Sequence, residues 1–245
     1  EYKGLDSIKD SLFLEDHTIN DLIDYRKRIS PVYLDRFRLN TYNEEYYKTV
    51  LNEFKEKCSN YSGSRKILDL MSYDGIFINF MHDDPIFKSS EVISSDYILN
   101  NLDFFRKKFG YEYLRIDHNN KINTNNKFNF ITFIFQLNFT PKIEEIIKTS
   151  HTLLTTDGMV LVSVMHESWY RKFAKYLIRI SKTYLQRKTY NIYENNTFYK
   201  IGPIKNYSSR EIVNVYSNNG FKIVSKKLIR KSKGLYIGVY IFGKK

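Results

Sequence analysis

Five places in this chain put acidic, amide or imidazole side chains at or near the ends of apolar runs. They are Asp69 to Gly75, Asp96, Asp117-His118, Gln136 to Asn138, and His166-Glu167. In open α/β sheets, ligands bind outside the carboxyl ends of the strands, so these tips are where a ligand would be held. Asp69 sits inside the run Ile67-Leu68-Asp69-Leu70. An unpaired charge there costs several kcal/mol, so Asp69 is expected to point out of the strand end towards a partner. Gly75 follows the turn where backbone must come close to something. Asp96 closes the run Val92 to Ser95, at about the spacing of a nucleotide-binding βαβ unit with its ribose carboxylate. His166 is the candidate general base, because imidazole titrates near working pH. Each has a plainer reading: a strand-end Asp also serves as a cap or turn former, and a histidine as an ordinary loop residue.

The stretch Lys66-Ile67-Leu68-Asp69-Leu70-Met71-Ser72-Tyr73-Asp74-Gly75 resembles the first motif of the class I S-adenosylmethionine methyltransferases. Asp69 and Gly75 hold the acidic and last-glycine places, whereas Met71 and Tyr73 stand where that family usually has glycine. The resemblance implies that Asp69 and the turn Met71 to Gly75 lie against the methionine part of S-adenosylmethionine, with Tyr73 closing over the cofactor or filling its space. It implies Asp96 on the ribose hydroxyls, Asp117 on the adenine amino group, His118 near the ring, and Gln136 with Leu137 on the sulfonium side. Asn129 replaces an acid in Phe128-Asn129-Phe130-Ile131, and Asp157 replaces one of a glycine pair before the fifth strand. Over residues 64 to 245 the resemblance lies in the order of elements more than in the motifs.

Those positions need a particular scaffold. Strand-like runs at Ile67 to Leu70, Val92 to Ser95, Tyr111 to Ile116, Phe128 to Phe135 and Met159 to Val164 alternate with helical patterns. That alternation predicts a doubly wound, mostly parallel Rossmann-like sheet. The helices expected between them run from Ile76 to His82, Ile98 to Lys108, and Pro141 to just before Gly158, the last with Leu154 on its inner stripe. A capping box at Ser208 and Glu211 starts another, and Gly220-Phe221 leads into a sixth strand. Leu235 to Phe242 is a seventh, expected antiparallel. Residues 1 to 62 are expected to form a helical extension, with helices starting near Thr18 and Thr41. Residues 63 to 245 form the methyltransferase-like domain, with 168 to 206 as an insertion on the substrate side.

Composition narrows the function. Net charge is +12, and the one cysteine, Cys58, excludes an intramolecular disulfide and a cysteine zinc cluster. No metal site, P-loop or nucleophile elbow is read. No run approaches a membrane span and no signal pattern opens the chain, so the expected location is the cytoplasm. Residue 1 is Glu, consistent with a segment that precedes it. From Trp169 to Lys188, aromatic and aliphatic residues recur on one helical face, and Lys and Arg fill the rest. Trp169, Lys172 and Lys175 are therefore the substrate-binding candidates, for an acceptor carrying phosphate or carboxylate. A membrane surface and nucleic acid are the other anionic partners this stretch suits. A solvated back of a packed helix is its plainer reading. The expected activity is O- or N-methylation of a small or glycan-like acceptor. The rivals are a catalytically inactive binding subunit and a methyltransferase acting on RNA or protein.

Overall fold

Seven strands form one sheet in the order β3-β2-β1-β4-β5-β7-β6. The computed structural model describes residues 44–72, 75–97, 107, 110–117, 119–137, 140, 143–167, 207–232 and 235–245. The strands are β1 Lys66–Asp69, β2 Glu91–Asp96, β3 Glu112–Arg115, β4 Phe128–Ile134, β5 Leu154–Glu167, β6 Phe221–Ser232 and β7 Leu235–Lys244. The α-helices whose bounds lie among the described residues are α1 Glu44–Ser59, α2 Ile76–Asp83, α3 Ile143–Leu153 and α4 Ser209–Asn218. β1 to β5 are parallel to their neighbours, and β7 runs antiparallel between β5 and β6. The expected fold class, including the reversed last strand, is what the chain adopts. The expected helix near Thr18 lies outside the described residues, as does that from Ile98 to Lys108 apart from Lys107.

The sheet is doubly wound because its strands are apolar on both faces. Leu68, Ile93, Ile131 and Val162 point into one core layer with the inner stripes of α3 and α4. Their chain neighbours Ile67, Val92, Phe130 and Leu161 point the other way, against α1 and α2. On α1, Tyr47, Val50, Leu51, Phe54 and Cys58 recur at helical spacing, and all but the half-buried Tyr47 are buried. Phe54 stacks on Phe87 at 5.3 Å and meets Phe130 edge-on at 5.5 Å. Burial pushes the Cys58 thiol up to about 12. Asn129 ties the first strand to the fourth: its Oδ1 accepts the Lys66 N–H at 2.9 Å and its Nδ2 donates to Tyr61 Oη at 2.6 Å.

α3 is shorter than its sequence pattern suggests. It ends at Leu153, and Leu154 already belongs to β5, paired with Phe128. The next pair is Phe130 with Met159, so β5 advances five residues while β4 advances two, three extra on the β5 side. The extra turn folds tightly: a Cβ on Gly158 would lie 2.7 Å from Leu154 Cδ2 and 3.1 Å from Thr155 O. The β-branched pair Thr155-Thr156 favours strand over a last helical turn.

The two halves of the sheet end at different heights. β4 stops at Ile134, which pairs with Ser163, yet β5 continues to Glu167, still paired with β7. Four residues of strand, about 13 Å at the usual rise, therefore stand beyond the tip of β4 as a wall on one side of it.

Candidate functional site

The topological switch point lies between β1 and β4, because successive strands are laid down to one side of β1 and then to the other. The groups described below lie around that point, most of them at the carboxyl ends of β1 to β5.

Asp69 is 2% exposed. Its Oδ1 accepts the hydroxyl of Thr132 on β4, so the partner its burial demanded is on the neighbouring strand. The turn after β1 is clasped to β2 by two serines. Ser72 N–H donates to Ser95 O at 2.8 Å, and Ser72 Oγ accepts the Ser95 N–H at 3.2 Å. The hydroxyls of both serines converge on Asp69 O, at 3.0 and 2.9 Å. Leu70 N–H reaches Thr132 O at 2.8 Å, which fixes the turn to β4 as well. Gly75 ends the turn with φ 66°, the left-handed region that glycine enters without strain, and its carbonyl accepts the first amide of α2 from Asn79.

Met71 also has a left-handed backbone, φ 56°, where a Cβ is costly. Its side chain is 1% exposed and its Sδ lies 3.2 Å from Thr140 Oγ1. The same hydroxyl lies 2.8 Å from Gln136 O. A hydroxyl has one proton and a thioether is a weak acceptor, so the carbonyl takes it and Met71 packs alongside. Met71 thus joins the loop after β1 to the loop after β4. Phe135, at the β4 tip, is left-handed too, φ 56°. Its N–H is held by Ser163 O and Oγ, both at 3.1 Å. Tyr47 of α1 meets the Phe135 ring edge-on at 5.6 Å. Two strained non-glycine residues therefore flank the switch point, and such strain gathers at ligand sites.

Asp96 is fully buried at the β2 tip, and its Oδ1 accepts the Tyr97 N–H at 2.7 Å. Tyr97 donates its hydroxyl to Asn120 Oδ1, and Asn120 O accepts Thr149 Oγ1 at 2.7 Å. This chain links the β2 tip to the loop after β3 and to α3. Asp117 lies in that loop, exposed, with Oδ1 accepting the N–H groups of Asn119 and Lys121, both at 2.8 Å. That carboxylate shapes its own turn, the plainer of its two readings. Gln136 is half-buried, with its carbonyl on Thr140.

His166 stands on the wall beyond the β4 tip, 8% exposed. Its Nδ1 lies 2.6 Å from Tyr207 O and its Nε2 lies 2.6 Å from Tyr240 Oη. A carbonyl only accepts, so the ring proton is on Nδ1 and the Nε2 lone pair takes the Tyr240 hydroxyl. The ring lies over Gly238, where a Cβ would come within 2.4 Å of Nε2. Burial raises the Tyr240 phenol above its ordinary value.

Tyr73, His118, Trp169, Lys172 and Lys175 lie outside the described residues. Thr132, Ser72, Ser95 and Thr140 were not singled out from sequence. The only signal for them was polar residues interrupting apolar strands at Thr132 and Ser94-Ser95. Among the described residues no three His, Cys, Asp or Glu gather into a metal site, and no helix is long and apolar enough to cross a membrane.

The family model described as a methyltransferase domain matches residues 39–226. No curated protein matches the sequence. Among solved structures, the chain is similar to a 1,6-didemethyltoxoflavin-N1-methyltransferase from Burkholderia thailandensis bound to its acceptor and S-adenosylhomocysteine. That likeness has a TM-score of 0.60 and 12% identity, over 90% of this chain and 87% of that one. It is also similar to the magnesium protoporphyrin IX methyltransferase of Synechocystis PCC 6803 with bound SAH, at TM-score 0.57 and 11% identity over 91% and 99% of the two chains. A SAM-dependent methyltransferase from Aquifex aeolicus gives TM-score 0.53 and 14% identity over 80% and 88%. At these identities the structures speak for the fold.

Proposed function

The chain belongs to the methyltransferase-domain family, and we propose that it moves the methyl group of S-adenosylmethionine to a hydroxyl or amine of a small or glycan-like, anionic acceptor. The observation that supports this reading is that Asp69, the Ser72–Ser95 clasp, left-handed Gly75 and Asp96 all lie at the carboxyl ends of β1 and β2, beside the switch point of the sheet. The donor set suits the cofactor. Asp96 is acceptor-only when ionised and matches two ribose hydroxyls. Gly75 offers backbone with no side chain, and the clasp fixes Ser72 to β2. Asp69, locked by Thr132, positions the turn that meets the methionine end. Met71 and Gln136 line the crevice from its two sides, and Tyr73, Asp117 and His118 are assigned to the cofactor on the family pattern.

When bound, the cofactor supplies a methyl group already activated by its positive sulfur. The protein's tasks are then to align the acceptor and to remove a proton if the acceptor is a hydroxyl. His166 suits the second task. The Tyr207 carbonyl orients its ring, and Nε2 is the basic end, held by the Tyr240 hydroxyl until an acceptor takes its place. Trp169, Lys172 and Lys175 are assigned to the acceptor because the stretch around them is basic and aromatic.

One observation favours a second reading. Met71 packs against the far loop of the crevice, so the chain could serve as a binding subunit that turns nothing over. Transfer of label from methyl-labelled S-adenosylmethionine to a panel of sugar phosphates and small carboxylates separates the two. Label in a product that disappears in Lys172→Glu/Lys175→Glu while cofactor affinity holds supports the first. No labelled product, with intact cofactor binding, supports the second.

A further inference from the structure

β6 is an edge strand, paired with β7 on one side only. Edges are commonly blunted by lysines, and β6 carries Lys222, Lys226, Lys227 and Arg230. Lysines alone would need no further account. The same strand, however, carries the large hydrophobic residues that stand exposed among those described: Ile223 at 41%, Val224 at 47% and Leu228 at 48%.

The register places Ile223 and Leu228 on one face, while Val224, in the bulge, lies against Gly243 on the other. Ile223 pairs with Phe242, Lys226 with Tyr240, Leu228 with Gly238 and Arg230 with Tyr236. Paired residues share a face of the sheet. On β7 that face is covered, since Phe242 and Tyr240 belong to the core with Tyr216 and Ile212 of α4. One strand further out the face stays open, striped with apolar and basic side chains. Neither Lys226 nor Arg230 makes an ion pair with a described residue, and no carboxylate occurs in the chain after Glu211.

The surface therefore asks for an occupant both acidic and apolar, and the sequence supplies one. Residues 1–24 hold seven carboxylates, Glu1, Asp6, Asp10, Glu15, Asp16, Asp21 and Asp24, against two lysines. Leu5, Ile8, Leu12, Phe13, Ile19 and Leu22 are interspersed among them. The neighbouring stretches are unsuitable: Arg26 to Arg28 and the run from Trp169 to Lys188 are basic and would be repelled. Reach is sufficient. α1 begins beside the β4 tip, where Tyr46 and Tyr47 meet the Phe135 ring, three strands from β6 in the sheet. The linker from residue 25 to 43 can span roughly 60 Å when extended. Tethering gives an effective concentration on the order of millimolar, enough for a modest interface to form.

We infer that the open face of β6 is the docking surface for the acidic amino-terminal segment, residues 1–24, of the same chain. Hydrogen exchange by mass spectrometry on the full chain tests this, following residues 222–230, with β4 as an internal control for folding. The expected result is at least tenfold faster exchange in 222–230 when Asp6, Asp10, Glu15 and Asp16 are changed to Lys. The same loss is expected in Lys226→Glu/Arg230→Glu, with recovery when the two sets of reversals are combined. Unchanged exchange in the first variant, with β4 still protected, would overturn the inference. Protection that rises with protein concentration would overturn it too, by assigning the surface to a second copy.

Discussion

Met71 Sδ rests 3.2 Å from Thr140 Oγ1, joining the loops that follow β1 and β4 across the switch point. Met71 is left-handed where a glycine would carry no strain. The contact ties together the two loops between which the cofactor is proposed to lie.

Met71→Gly should move stability and affinity in opposite directions. Losing a buried methionine side chain costs about 2–5 kcal/mol. Relief of the left-handed strain returns about 1–2 kcal/mol. A net loss of roughly 1–3 kcal/mol should appear in urea unfolding, while calorimetry gives S-adenosylhomocysteine affinity at least tenfold higher than in wild type. Weaker binding in this variant would mean that the Met71 side chain supports the ligand rather than narrowing its path.

Asp96→Ala should weaken S-adenosylmethionine binding at least tenfold, because the acceptor proposed for two ribose hydroxyls is gone. Asp96→Asn keeps an acceptor for the Tyr97 N–H and separates folding from binding. Unchanged calorimetric affinity in the alanine variant would remove Asp96 from the site.

Tyr216 offers a test of the packing behind the wall. It stacks on Phe242 at 4.2 Å, fully buried, and its hydroxyl has no hydrogen-bond partner among the described residues. Burial alone holds its phenol far above the ordinary value. An unsatisfied buried hydroxyl costs about 1–3 kcal/mol, so Tyr216→Phe should stabilise the protein by about 1 kcal/mol. A melting temperature lowered by the substitution would show that the hydroxyl has a partner.

His151 should make stability depend on pH. Burial, and then the charge of Lys244, hold its imidazole below the ordinary value of 6.5, against a raising contact with Gly220. The unfolded chain therefore takes up the proton first as pH falls. Stability is full above about pH 6.5 and declines as pH drops through that value towards the folded one. Urea midpoints at pH 7.5 and 5.5 should differ less in His151→Gln than in wild type. Equal differences would exonerate His151.

Much of the fold was legible because its signals are local. The apolar runs of β1, β2 and β4, the capping box at Ser208 and Glu211, and the stripe on α1 each needed only neighbouring residues to be read. The end of α3 was not, because helix and strand readings of Leu154 differ only through its pairing with Phe128. At the site, Asp69 could be recognised as needing a partner, but not which one. Thr132 is 63 residues away in sequence and meets it only because β1 and β4 are neighbours. Thr140 was hidden for the same reason, as were the two amides, of Asn119 and Lys121, that Asp117 holds.

Titration of the wild-type chain with S-adenosylhomocysteine in a calorimeter, beside Asp96→Ala and Met71→Gly, is the most direct trial of the cofactor crevice. One molecule bound per chain is expected, with binding weakened by the first substitution and tightened by the second. An absence of heat in all three would mean that the carboxyl tips of β1, β2 and β4 enclose no such nucleoside.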